Sequence, residues 1–337
     1  MSLPRFTHIT PKTLDEALEL LSEKGEDARI MAGGTDLIPA MKYRTEVPEI
    51  LIDIKQLKEL GSIRSAPDNR TIIGSLNTLD TVSRSELIVE KFNILARAAE
   101  KVASMQIRNV GTIGGNVCLN TRCWYYNQSK QWRQSIPVCY KMGGDSCLVM
   151  KKSDNCNAVF LADTVPALMA LDAGLKIVKK GGERTISLED FYGGSGHPPN
   201  LLSHDEILAE VQIPGMAPSS FGIFLKDAPR QVVDFALANA AIIIAFNERG
   251  EECKDARIVV AGVTSHPVRS VKAEDILKGE IITEKLMNEA ADIVVRDSAP
   301  ISPIWVSPET RRHMIRTLIK RGLQAALEFA RGDLGLR

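Results

Sequence analysis

The segment that most limits what this chain can become is Gly111-Thr112-Ile113-Gly114-Gly115-Asn116. Three glycines in six residues leave the main chain without Cβ atoms, so another backbone or a ligand can approach it closely. A second run of this kind, Gly33-Gly34-Thr35-Asp36, follows the short apolar stretch 28–32 and precedes a helix-prone segment, 37–43. A glycine turn between strand and helix aims several N–H groups at one anion. Two such loops, about 80 residues apart, suit the two sides of one extended nucleotide such as FAD; paired structural turns are the alternative reading of the same residues. The fingerprints G-x-G-x-x-G after a strand and G-x-x-x-x-G-K-[ST] are both missing, so neither a Rossmann dinucleotide fold nor a P-loop is expected.

Directly after the second loop come four cysteines, Cys123, Cys139, Cys147 and Cys156, spaced C-x15-C-x7-C-x8-C. Four thiolates suit a [4Fe–4S] cluster, and equally structural zinc. Zinc ligands usually come in close C-x2–4-C pairs, which this run lacks, and that favours a cluster. Gly143, Gly144, Asp145, Ser146, Ser153, Asp154 and Asn155 supply turns around the cysteines. Residues 121–160 hold six Lys or Arg against two Asp or Glu, an excess that offsets anionic thiolates. Trp124, Tyr125, Tyr126 and Trp132 are candidates to shield the site from water. Cys118 and Cys253 lie outside the series and read as small buried residues, with Cys118 the one competitor for the ligand set.

Composition narrows the class. Lys plus Arg and Asp plus Glu are both 42, which argues against a general nucleic-acid binder. Hydrophobic residues make up 44% of 337, enough for two or three domains with sizeable cores. The start of the chain lacks a signal-peptide core, and the longest apolar run, 235–246, is too short to span a bilayer. A cytoplasmic location is therefore expected, where six cysteines are thiols or ligands rather than disulfides. No G-x-S-x-G or H-E-x-x-H is present, and Ser195 reads as part of a flexible glycine loop.

Periodicity predicts helices over 13–24, 85–104, 271–279, 284–296 and 308–330. It predicts strands over 51–54, 71–74, 175–178 and 207–213. The segments 236–246 and 256–262 form an expected antiparallel pair joined at 247–250. Pro214-Gly-Met-Ala-Pro218 is the expected boundary before a C-terminal α+β domain.

Taken together, these motifs resemble the FAD-binding subunits of the molybdenum hydroxylase family, which includes xanthine dehydrogenase and carbon monoxide dehydrogenase. The resemblance runs over nearly the whole chain. It is carried by Ala32-Gly-Gly-Thr-Asp-Leu37, Gly111-Thr-Ile-Gly-Gly-Asn116, Asp163-Thr-Val-Pro-Ala-Leu168, Lys226 with Asp234, and the 256–269 segment. Ordinary members join the Gly-Gly-Asn loop to the Asp-x-x-Pro turn by a few residues. Here about 40 intervene, and this cysteine insertion is similar to that of the 4-hydroxybenzoyl-CoA reductase β subunit.

The resemblance implies an α+β chain: a two-subdomain FAD-binding fold of the vanillyl-alcohol-oxidase type over 1–60 and 61–216, with an iron–sulfur insertion at 121–160, then a C-terminal α+β domain over 217–337. It implies that Ile30, Met31, Ala32, Gly33, Gly34, Thr35, Asp36 and Leu37 line the FAD pyrophosphate. Thr112, Ile113, Gly114, Gly115 and Asn116 would form the second phosphate and ribose contact, Asp163 would bond the adenosine part, and Leu208 and Lys226 would lie near the flavin ring. Cys123, Cys139, Cys147 and Cys156 would ligate the [4Fe–4S] cluster. The implied partners are a molybdopterin-binding large subunit and a [2Fe–2S] small subunit in a dimer of heterotrimers, with a ferredoxin-like electron carrier. No residue of this chain would act on the substrate. Many relatives carry Asp-x-Arg after the Pro-Ile-Ser near residue 300; this sequence does not.

Overall fold

The first strands of the computed structural model, which describes residues 2–217, 220–230, 232–301 and 306–332, form a small parallel sheet. Strands β1 (Thr7–Ile9), β2 (Ala28–Met31) and β3 (Ile50–Asp53) lie in the order β1-β3-β2. Parallel neighbours require crossovers, and helices supply them. Helix Leu14–Lys24 starts where the Thr13 hydroxyl accepts the Glu16 N–H, and it buries Ala17, Leu18 and Leu21. Helix Leu37–Tyr43 returns the chain from β2 to β3 and starts straight after the first glycine run.

Strands β4 (Ile63–Ser65), β5 (Thr71–Gly74), β6 (Gly174–Lys179), β7 (Gly182–Ser187) and β8 (Ile207–Ile213) form a second sheet. Its order is β4-β5-β8-β6-β7, with every pair antiparallel. The long excursion between β5 and β6 holds the helices, both flanks of the second glycine loop and the cysteines. The helix expected over 85–104 is broken: Glu86–Lys91 and Asn93–Glu100 are separate, because Phe92 leaves helical geometry (φ −142°, ψ 53°) to fill the core.

The third sheet, strands β9 (Ser220–Asp227), β10 (Ala238–Phe246), β11 (Cys253–Ala261) and β12 (Val268–Arg269), is antiparallel in the order β12-β11-β10-β9. Every residue of β10 is buried, and alternate side chains enter different cores. Ala238, Ala240, Ile242, Ile244 and Phe246 pack on helices Val271–Leu277, Glu284–Ser298 and Pro308–Ala330, whereas Ala241 and Ile243 pack with the helices of the second sheet. Burial on both faces explains why this strand is a continuous apolar run rather than an alternating one. No helix among the described residues is long and apolar enough to cross a membrane.

One buried ion pair fastens the third sheet to the start of helix Thr164–Ala170, which packs beside the second. Lys226 Nζ on β9 lies 2.6 Å from Asp163 Oδ2, with side-chain exposures of 8% and 3%. Asn239 on β10 donates to the other carboxylate oxygen at 2.9 Å. Removing one partner strands the other charge in a dry site, which costs about 3–5 kcal/mol. Lys226→Met is therefore expected to lower the stability of the protein by that order, read as a reduced urea midpoint, while Lys285→Met on an exposed helical turn leaves it unchanged.

Candidate functional site

The two glycine loops meet. A Cβ on Gly33 would stand 2.1 Å from the Val110 carbonyl oxygen and 3.0 Å from Gly111 Cα. Real side chains never come that close, so only glycine permits the contact. Thr35 Oγ1 lies against Gly111 from the same side. Gly34 sits at φ +70°, a conformation that favours glycine. Around this turn the N–H groups of Gly33, Gly34, Thr35, Asp36 and Leu37 take no acceptor among the described residues. Five successive free donors at a glycine turn form a concave positive surface suited to a phosphate.

The second loop is built differently. Its amides are consumed within the protein: Ile113 N–H donates to Asn77 O, Gly114 to Ser75 O, Gly115 to Thr112 Oγ1 and Asn116 to Thr112 O. Gly114 is needed for protein packing, since its Cβ would lie 2.6 Å from Ser75 Cβ and 2.9 Å from Ser75 O. Gly115 is exposed and would meet only Thr112 Oγ1, at 3.1 Å, which leaves its outer face open to a ligand. The side-chain oxygen of Asn116 accepts from Thr164 N at 3.2 Å and Thr164 Oγ1 at 2.6 Å. It thereby ties together the two ends of the cysteine insertion.

The remaining sequence-predicted positions fall around these loops. Met31 is buried with Met41 and Leu51, Leu37 packs beside them, and Ile30 and Ala32 lie partly buried on the first core. Asp163 and Lys226, expected at separate parts of a cofactor, are paired with each other. Burial pushes the Asp163 carboxyl above its ordinary value, and Lys226 and Asn239 pull it back. Leu208 is a core side chain of the second sheet, and the next residue, Ala209, accepts the Ser75 N–H behind Gly114.

Cys123, Cys139, Cys147 and Cys156 line one cavity together with Tyr125, Tyr126, Tyr140, Lys141, Leu148, Val149 and Ala158. Cys118 instead packs on the core of the second sheet, and Cys253 is fully buried on β11. Burial pushes both outliers up to about 12, so neither favours a thiolate. In the cavity the main chain works for ionisation. Burial pushes Cys123 up to about 11 against the amides of Tyr125 and Tyr126. At Cys147 burial is outweighed by the amides of Met150, Asn157 and Val149 and by the Asn157 side chain, so this thiol lies below its ordinary value. At Cys156 burial raises the thiol, opposed by the Ala158 amide and by Lys141. Of the expected shields, Tyr125 and Tyr126 line the cavity, whereas Trp124 is 39% exposed and Trp132 is not among its walls.

Among the described residues no three His, Cys, Asp or Glu side chains gather tightly enough to grip one metal ion. Four thiols lining one cavity are a donor set that fits a [4Fe–4S] cluster and that structural zinc could also use.

The insertion docks on the first glycine loop. Arg122, next to Cys123, pairs with Asp36. Arg133 donates to Tyr43 O at 3.1 Å and Arg44 O at 2.8 Å, capping helix Leu37–Tyr43, and Tyr126 OH donates to Thr45 O at 3.2 Å. The glycine loop around Ser195, expected to be flexible, closes over the cysteines: Gly196 N–H donates to Cys156 O, and a Cβ at Gly196 would lie 2.8 Å from Ala158 N. Sequence reading misses Arg122, Arg133, Gly196 and Lys141; the positive excess of the insertion is the only signal for the three basic residues.

Residues 4–216 match the family described as the FAD binding domain in molybdopterin dehydrogenase, and residues 223–326 match the CO dehydrogenase flavoprotein C-terminal domain. The chain belongs to this family. It is an FAD-binding subunit of the molybdenum hydroxylase type, with the α+β fold of that subunit. It is 30% identical to the 6-hydroxypseudooxynicotine dehydrogenase complex subunit alpha of Paenarthrobacter nicotinovorans, over 98% of this chain and 97% of that one. It is 28% identical to the carbon monoxide dehydrogenase medium chain of Hydrogenophaga pseudoflava, over 96% and 97%. A solved structure of carbon monoxide dehydrogenase from Hydrogenophaga pseudoflava superposes with a TM-score of 0.80 at 27% identity, covering 97% of this chain and 98% of that chain.

Substitution in the two glycine loops separates packing from ligand contact. Gly33→Ala is expected to push the loops apart and cost both flavin and thermal stability. Gly115→Val is expected to leave the fold intact but flavin-poor, because its Cβ meets only the Thr112 hydroxyl, which can yield by a few tenths of an ångström, and the rest of the side chain covers the exposed face. Circular dichroism melting and flavin absorbance per chain distinguish the two; full flavin in folded Gly115→Val contradicts a ligand on that face.

Proposed function

We propose that this chain is the electron-transfer subunit of a molybdenum enzyme, holding one FAD across the two glycine loops and one [4Fe–4S] cluster in the cysteine insertion. The observation that carries this reading is the single cavity lined by Cys123, Cys139, Cys147 and Cys156, docked through Arg122 and Asp36 on the first glycine loop. FAD exchanges one or two electrons, which suits a junction between a soluble carrier and one-electron centres. The residues of this chain would bind and orient the two groups: the free amides of 33–37 would take a phosphate, the exposed face of Gly115 would meet the cofactor, and the tyrosines of the cavity wall would shield the thiolates. Residues 1–60 and 61–216 form the flavin-binding part and 217–337 the C-terminal part.

The insertion favours a 4-hydroxybenzoyl-CoA reductase-like complex. There, electrons from a ferredoxin-like carrier pass inward to a molybdopterin-bearing large subunit by way of a [2Fe–2S] small subunit. On that large subunit two electrons and two protons replace the phenolic hydroxyl by hydrogen and release water. Outward electron flow is the second reading, in line with the dehydrogenases and the carbon monoxide enzyme among the relatives. In either case the substrate meets another subunit.

The full chain, purified without oxygen, tests the cofactors. Acid precipitation is expected to release the yellow group as FAD and to leave none on the chain. Serine at Cys123, Cys139, Cys147 or Cys156 is expected to remove most iron and acid-labile sulfide, whereas Cys118→Ser and Cys253→Ser retain both. Retention of iron in Cys123→Ser with its loss in Cys118→Ser overturns the ligand set, and zinc without sulfide in the wild type overturns the cluster.

A further inference from the structure

We infer that Lys141 is the counter-charge of the cysteine site: a buried ammonium, fixed by neutral oxygens, that holds the reduced form of the bound cluster at a higher potential than the thiolates alone would allow. This rests on the cluster reading above and goes beyond it, because it assigns a role to a residue that binds no iron.

The geometry is specific. Lys141 sits in the tight turn Tyr140–Met142, which Cys139 O closes by accepting both the Met142 and the Gly144 N–H groups. A Cβ on Gly144 would stand 2.3 Å from the Val138 carbonyl oxygen, so the chain doubles back closely here. The side chain runs inward and is 7% exposed. Its Nζ donates to Asn120 Oδ1 at 2.7 Å, Thr121 O at 2.9 Å and Thr121 Oγ1 at 2.6 Å, and Gly196 O lies 3.4 Å away. The ammonium also stands 5.1 Å from the centre of the Tyr126 ring. Every one of these partners is neutral, and among the described residues Lys141 forms no ion pair. The carboxylate acting on it, Asp36, is already engaged by Arg122.

A buried cation without a counter-ion is costly and is rarely kept without a reason. Four of the other Lys and Arg residues of the insertion need none: Lys130, Lys151 and Lys152 are exposed, and Arg133 caps a helix. Burial works against the charge on Lys141, and the thiolates of Cys156 and Cys123 that face it work for that charge. Lys141 also lines the same cavity as the four sulfurs. A thiolate-ligated cluster bears net negative charge that grows on reduction, so a fixed cation beside it stabilises the reduced state. Net charge and hydrogen bonding around the sulfurs are what set the potential of such clusters. The ring that the ammonium faces belongs to Tyr126, whose hydroxyl donates to Thr45 O just past helix Leu37–Tyr43.

Three variants of the full chain separate charge from packing: Lys141→Met, Lys141→Gln and Lys141→Arg. Gln can still donate to Thr121 and Asn120 but carries no charge; Arg keeps the charge. Each is purified without oxygen and assayed for iron, sulfide and FAD per chain, and the cluster midpoint potential is read by an EPR-monitored redox titration. The expected result is a lower midpoint in Met and Gln, near-wild-type midpoint in Arg, and unchanged FAD throughout. Loss of iron from Met and Gln but not from Arg supports the same role, expressed through cluster assembly. A wild-type midpoint or full rescue in Gln shows a hydrogen-bonding role only and overturns the inference. Wild-type protein free of iron and sulfide overturns the cluster reading itself, and this inference with it.

Discussion

The site depends on one close approach. The Val110 carbonyl occupies the space that a side chain on Gly33 would need, so the two glycine loops touch backbone to backbone. That contact brings two segments far apart in sequence to one place. The two loops then divide the work. The first keeps its amides free and is suited to an anion; the second spends its amides on Ser75, Asn77 and Thr112 and becomes a rigid wall. Glycine is required at 33 and 114 for the sake of protein packing, and at 115 only if a ligand lies there.

Around that contact the insertion is anchored at both ends and in the middle. Asn116 and Thr164 clamp its ends, Asp163 and Lys226 fix the exit to the third sheet, and Arg122 and Arg133 hold its body on the flavin-loop helix. Such a segment, rich in turns and poor in regular structure, has little core of its own. Its few buried polar groups are therefore informative. Among them Lys141 stands out, since it is a charged group with neutral partners in a wall of cysteines.

Much of this is legible in the sequence where a residue type has one physical use. The glycine loops, the Thr13 cap and the doubly buried β10 follow from backbone freedom, capping and apolar runs. Strand β7 escapes sequence reading because it is a polar edge strand, and β9 because Gly222 and polar ends interrupt its alternation. The break at Phe92 is a tertiary effect: a core side chain pulls its own backbone out of the helix. At the site, the four cysteines stand out in the sequence as one run, and the structure places all of them on one cavity. Lys141 is not identifiable, because a lysine between two cysteines looks the same whether it points to water or inward. Asp163 and Lys226 suggest two separate cofactor contacts, and only the fold reveals that each is the other's partner. The position after Pro300-Ile301 where relatives carry Asp-x-Arg falls partly on 302–305, outside the described residues.

In the arrangement we propose, the insertion holds a four-iron cluster in the same chain as the flavin. Mössbauer spectroscopy of the full chain, grown on iron-57 and purified without oxygen, decides whether it does. The predicted result is the signature of one [4Fe–4S] cluster per FAD, with all four irons in sulfur coordination. A spectrum without iron in a chain that still binds FAD would contradict it.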